Sequence, residues 1–187
     1  MLFQGQYWFR GTHADKVKKL TAEFDSHEEG LFNSEKDIVK RPKLFQYVHE
    51  IYQLAPIVGF LYRRKADLNR ENNSDISIFA EQMSIYREVF QFNYHLIMLL
   101  DAEYESNFDE RVDKAFRYYG TEKATADEEL YESYVRGGID VLYDKLIEPS
   151  KSPDDYTKNL YDFMEDFKDR YGQSASEVLD LCQIARS

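Results

Sequence analysis

The chain has 187 residues, with 24 Lys and Arg against 35 Asp and Glu, a formal net charge of -11, 43% hydrophobic and 32% charged residues. That length fits one domain with a sizeable core, and 15 Tyr with 13 Phe supply too much apolar surface for a disordered chain. One cysteine, Cys182, excludes an intramolecular disulfide and an all-cysteine zinc site, and its helical context gives it the role of a small core residue.

The charge is uneven. Residues 1–70 hold 12 cations and 9 acids, a balance of +3, and residues 71–187 hold 12 and 26, a balance of -14. The acidic part repels phosphate backbones, so direct nucleic-acid binding is disfavoured and a basic partner is favoured.

In chain order, the start "MLFQGQYWFRG" lacks the basic flank and apolar core of a signal peptide, and a cytoplasmic location is expected. "LFQG" resembles the scar of a protease-cleavable tag or is native, and receives no structural weight. Residues 1–11 form an extended N-terminal segment, in which "QYWFRG" is the only strand-like run, and a lone strand does not make a sheet. The string "FRGTHADK" (Phe9–Lys16) follows Trp8. Thr12 caps the first helix, with His13 exposed in its first turn, and Trp8, Arg10 and His13 are residue types suited to anchoring an interface or a phosphate.

Periodicity and caps place helices over 13–25, 34–41, 44–67, 75–103, 108–119, 126–147, 153–171 and 175–185. The stretches 44–67 and 75–103 are apolar over a wide arc and belong at the centre of a bundle. Within the first, Pro56 cannot donate to the Tyr52 carbonyl, so the helix kinks or ends near Ala55, and Gly59 permits a close helix crossing. Arg63, Arg64 and Lys65 complement the negative end of that helix. With Lys36, Lys40, Arg41, Lys43 and Arg70 they form a basic face that meets the chain's own acids, a second copy or an acidic partner. Asn69–Asp75 ("NRENNSD") reads as an exposed loop. Asn107 with Glu110, Thr125 with Glu128, and Ser174 with Glu177 read as capping boxes, while Gly120 and Gly172 read as stops. The glycines of "RGGID" (Arg136–Asp140) interrupt a helix and mark a kink or close crossing. The carboxylates Asp127, Glu128, Glu129 and Glu132 read as a solvated face, as do Asp162, Glu165, Asp166 and Asp169.

No run is long enough to span a bilayer. The histidines His13, His27, His49 and His95 fall in no metal-ligand spacing, and His95 reads as a buried, hydrogen-bonded core residue. No nucleophile, phosphate-loop or dinucleotide signature appears, so no catalytic residue, metal or cofactor is expected and the chain reads as a non-enzyme. The expected fold is an all-α bundle of seven or eight helices in a single domain. The expected function is a non-catalytic acidic protein–protein interaction subunit, docking on a larger partner or self-associating, with Trp8, Arg10, His13, Arg63, Arg64 and Lys65 as interface residues. The alternatives are a DNA-mimic inhibitor and a helical enzyme with a composite pocket around His13 or His95.

Overall fold

A computed structural model describes residues 2–22, 43–69, 71–151 and 153–184, with the side chains of α7 given over 154–172. The expected helix 34–41, His27, Lys36, Lys40, Arg41 and Arg70 lie outside the described residues, as does the side chain of Cys182. The elements in order are β1 (Tyr7–Arg10), α1 (Gly11–Thr21), α2 (Val48–Leu61), β2 (Asp75–Ile78), α3 (Ala80–Ile85), α4 (Arg87–Leu100), α5 (Phe108–Val112), α6 (Thr125–Leu146) and α7 (Pro153–Ile184). A π turn at Asp113–Arg117 follows α5, and a short 3-10 turn at Glu122–Ala124 precedes α6. The chain is an all-α bundle with one small two-stranded sheet among the described residues. It divides into two units, Met1–Tyr143 and Asp144–Ser187.

In the first unit β1 does find a partner. It pairs antiparallel with β2, Phe9 opposite Ile76 and Arg10 opposite Asp75. The expectation of a lone strand and of a helix starting at residue 75 is thereby corrected. "DISI" alternates side chains across a two-residue period and puts Ile78 inward, fully buried beside buried Phe9. The remaining stretch breaks at Tyr86 into α3 and α4. Of the expected exposed loop Asn69–Asp75, the middle is exposed, at Glu71, Asn72 and Asn73, with Asn72 Oδ1 accepting from the Ser74 amide at 2.9 Å, while Asp75 already opens β2.

α2 runs unbroken through Pro56 and does not end at Ala55. One residue on from the Tyr52 carbonyl that Pro56 leaves without its ladder donor, the buried Asn93 of α4 donates from Nδ2 to the Gln53 carbonyl at 2.7 Å. The close crossing expected at Gly59 is observed. A Cβ on Gly59 would collide with the Tyr134 carbonyl, one on Gly138 with the Ala55 carbonyl, and one on Gly137 with the Arg64 carbonyl. The "RGGID" glycines are therefore the other half of the same crossing: α2 and α6 meet backbone on backbone. α6 is buried at every position from Tyr134 to Leu142.

The core around this crossing is aromatic. Tyr52, Phe90, Tyr94 and Tyr131 are fully buried. Phe3, only 3% exposed, enters the same cluster, its ring 5.7 Å from Tyr131, 5.8 Å from Phe90 and 6.2 Å from Tyr52. The "LFQG" run thus carries structural weight. Phe3 holds a left-handed backbone (φ 63°) there, a strain of roughly 1–3 kcal/mol that ring burial offsets.

Caps follow sequence in part. Asn107 Oδ1 accepts from the Asp109 and Glu110 amides, and Gly120 takes the left-handed φ of a stop, 76°. Thr125 does not cap α6: it lies within the helix and donates back to the Glu122 carbonyl. α1 starts at Gly11, not at a Thr12 cap, because Gly11 adopts φ 62° and donates its amide to the Ser74 carbonyl beside β2.

In the second unit α7 continues past Gly172 and Ser174, so the stop and restart expected there do not occur. Gly172 is exposed and lacks the positive φ that ends a helix, so it adds only its intrinsic helix cost. Asp166 accepts from Arg170 Nε at 2.9 Å and lies 3.9 Å from Lys145 Nζ.

Candidate functional site: a charged cleft between α1, α6 and the segment after α2

The chain leaving α2 does not wander. The Ala66 amide donates to the Ser133 carbonyl at 3.0 Å, Arg136 Nε donates to the Ala66 carbonyl at 2.8 Å, and the Arg64 carbonyl rests on Gly137. Buried Arg136 also pairs with Glu129. This segment is thus pinned along α6. α1 lies on the other side, pinned through Gly11 to the end of the same excursion. Between them opens a cleft of about 450 Å³, floored by Asp140 of α6, flanked by Thr12, His13 and Lys16 of α1, and walled by Ala66–Asn69 and Glu71.

His13 and Lys16, three residues apart, share one face of α1 and converge on Asp140. Lys16 Nζ donates to Asp140 Oδ1 at 2.7 Å and lies 5.3 Å from the Tyr143 ring centre. His13 Nε2 lies 3.4 Å from the same oxygen. Burial raises the Asp140 carboxyl, but the hydrogen bonds from His13 and Lys16 and the Lys16 charge outweigh it, and the carboxyl ends below its ordinary value. His13 is 4% exposed, so the expectation of an exposed first-turn histidine is corrected; α1 begins at Gly11, two residues earlier than a Thr12 cap implies, and His13 turns inward. Its other nitrogen, Nδ1, is buried and has no hydrogen-bond partner.

The other sequence-nominated residues disperse. Trp8 and Arg10 sit on β1, both exposed and outside the cleft. Arg63, at φ 52°, donates to Glu103 at 2.6 Å with both side chains largely exposed. Lys65 Nζ lies 3.8 Å from Asp101 and 4.8 Å from the Tyr134 ring centre. These two cations meet acids of their own chain, just past the end of α4. Arg64 is exposed and enters the crossing through its carbonyl.

His95 is half-buried, and its Nε2 lacks the hydrogen bond expected of it. It packs instead among rings, 4.9 Å from Phe116 and 5.2 Å from Tyr119, and burial lowers its tendency to protonate. His49 is stacked between Tyr47 and Tyr86 at 5.4 and 4.1 Å and is lowered for the same reason. Among the described residues, no three His, Cys, Asp or Glu side chains converge as a metal site, and no helix is long and apolar enough to cross a membrane.

Lys16, Asp140, Asp67, Asn69 and Glu71 were not singled out from sequence. Asp140 carried a signal, since it follows the glycines that bring two backbones together. Asp67, Asn69 and Glu71 carried none beyond membership of a polar stretch. The carboxylates expected on a solvated α6 face also divide: Asp127 is 1% exposed, and Glu132 accepts from the hydroxyls of Tyr7 and Tyr52.

Comparison of the chain with protein-family models, curated proteins and solved structures finds no match.

Proposed function

We propose that the chain is a non-catalytic acidic protein–protein interaction subunit that docks a basic partner protein on the outer face of α3–α4 and the adjoining α5 and π turn. The observation that carries this reading is apolar exposure. Phe79, Ile85, Phe92, Leu100, Phe108 and Phe116 are each more than half exposed. They are not scattered. On α4, Val89, Phe92, Leu96 and Leu99 follow at three- and four-residue steps and share one helix stripe, with Ile85 at the end of α3 before it and Leu100 beside its last member. Phe116 adjoins that stripe through its ring contact with His95, one turn after Phe92. Contiguous apolar surface of this kind marks an interaction site, and exposed phenylalanines are favoured interface anchors.

Charge selects the partner. Residues 79–120, which carry the face, hold eight carboxylates and four cations within a chain of net charge -11. A basic partner is attracted, whereas a second copy is repelled at long range. The DNA-mimic alternative draws less support. A phosphate-like row needs unpaired, evenly exposed carboxylates, yet Asp101, Asp127 and Asp140 are buried, and Glu103, Asp113, Glu129 and Asp166 pair with cations.

The test is a photo-crosslinking amino acid placed at Phe92, and separately at exposed Asp162 as a control, in cells that naturally express the protein. Adducts are identified by mass spectrometry. The expected result is one adduct with a basic protein from Phe92, none from Asp162, and loss of the adduct when Phe116→Asp is added. A self-adduct overturns the choice of a different partner, and the absence of any Phe92 adduct overturns the docking face.

A further inference from the structure

We infer that the outer edge of β1 takes an extended segment of a partner protein as an added antiparallel strand, one that carries a carboxylate opposite Arg10 and an apolar side chain opposite Trp8. This does not depend on the docking face of α3–α4.

The register shows which peptide groups are on offer. The Gly11 amide donates to the Ser74 carbonyl at 2.8 Å, continuing the β1–β2 register by one residue. Hydrogen-bonded pairs alternate with non-bonded ones along an antiparallel ladder, so Phe9 and Tyr7 exchange their bonds with Ile76 and Ile78. The N–H and C=O of Trp8 and the N–H of Arg10 therefore point away from β2, while the Arg10 carbonyl, at the N-cap, serves the first turn of α1. Among the described residues the sheet has two strands, so these groups have no ladder partner. Such an edge is a template for a further strand.

The side chains select the strand. Trp8 and Arg10 stand two residues apart and so share one face of the ladder. Both are exposed, Trp8 at 41%. Neither side chain makes a hydrogen bond, ion pair or ring contact among the described residues. Asp75 stands across the ladder from Arg10 without forming an ion pair with it. Elsewhere on this face the polar groups are engaged, since Gln6 Nε2 donates to Ser77 Oγ at 2.8 Å. An unpaired guanidinium beside an open indole calls for a carboxylate and an apolar residue, two positions apart on the incoming strand. In an antiparallel strand the carboxylate comes first. The net charge of -11 repels a segment that is acidic along its length, so the acid belongs at this one position. β1 is four residues long, which limits the partner to a short extended segment.

Trp8 is the only tryptophan of the chain, so its fluorescence reports on this edge directly. The full chain is titrated with a blocked threonine hexapeptide that carries a glutamate two positions before a valine. Two further peptides serve as comparisons: one with lysine in place of the glutamate, and one N-methylated at the glutamate and valine amides, which face β1. The expected result is a saturable change with the glutamate peptide, about tenfold weaker binding of the lysine peptide, and none of the N-methylated one. Arg10→Glu, at an exposed position and therefore compatible with folding, should invert the preference between glutamate and lysine. No saturable change, equal affinity for the two charges, binding of the N-methylated peptide, or an unchanged preference in Arg10→Glu overturns the inference. A change in Trp8 emission with protein concentration alone would assign the edge to a second copy and overturn it as well.

Discussion

Asp101, Asp127 and Glu132 each take a hydrogen bond from a tyrosine hydroxyl: Tyr134 at 2.6 Å, Tyr104 at 2.7 Å, and for Glu132 both Tyr7 and Tyr52. A phenol occupies a carboxylate lone pair and brings its own ring into the core, and with Lys65 near Asp101 and Lys114 near Asp127 the tyrosines let an acidic chain withdraw acids from water. The arrangement has pH consequences. Burial raises Glu132 above its ordinary value, against the hydrogen bonds from Tyr7 and Tyr52 and the nearby Arg136 charge, which lower it. His49 and His95 are pushed the other way by burial. Below the ordinary histidine value of 6.5 the unfolded chain takes up protons that the folded chain resists, so stability falls as pH drops through that window. Glu132 has the opposite sign and offsets part of the loss just above its ordinary value. Asp140, held low by its hydrogen bonds, adds a second loss as pH falls from the ordinary aspartate value toward its own lower one, because there the unfolded chain takes up a proton that the folded chain resists. Melting temperature measured across this range should fall between pH 7 and pH 5 (about the ordinary histidine value and below). Replacing His49 and His95 with Phe should flatten that fall; an unchanged slope would assign the loss elsewhere.

The same residue type has opposite meanings on two elements. Gly138 sits where α6 meets α2 with no space for a side chain, whereas a Cβ on Gly172 of α7 would meet only the flexible Lys168 Cγ at 3.4 Å. Gly138→Ala should therefore destabilise by about 3 kcal/mol or more, since backbone must move. Gly172→Ala should raise helix stability by about 1 kcal/mol. Denaturant titration of the two variants reads both signs, and a neutral Gly138→Ala would refute the close crossing. Sequence periodicity located α2, α4, α6 and α7 because their apolar steps are local. It missed β2 because "DISI" becomes a strand only when β1 lies beside it, a non-local condition. It also misplaced the end of α7, because a glycine stop depends on a left-handed φ that composition does not reveal. The inward turn of His13 was hidden for a related reason: α1 follows β1 directly at Gly11, two residues before the start a Thr12 cap implies, and that junction depends on the pairing of β1 with β2.

At the scale of the whole molecule, charge was the most legible property and its disposition the least. A balance of -14 after residue 70 is consistent with an acidic surface, yet the structure spends part of that charge internally, on tyrosines, on Lys16 and Lys114, and on Arg63. The apolar arc expected over 75–103 divides in the structure: Ile78, Met83, Phe90 and Ile97 are buried, while Phe79, Ile85, Phe92 and Leu100 are exposed. That division was not legible in sequence, because nothing local says which side of an apolar arc a neighbour covers.

The meeting of α2 and α6 also fixes where the protein opens last. Where two helices touch through peptide groups, no side-chain rearrangement can let water between them; the helices must part as bodies. Backbone amides from Val135 to Leu142 should accordingly be the slowest in the molecule to trade hydrogen for deuterium, at a rate set by global unfolding alone, while those of α3 and α5 exchange through local opening. Deuterium uptake followed by mass spectrometry would show this directly. Comparable uptake in α5 and in the 135–142 stretch would mean that the crossing breathes.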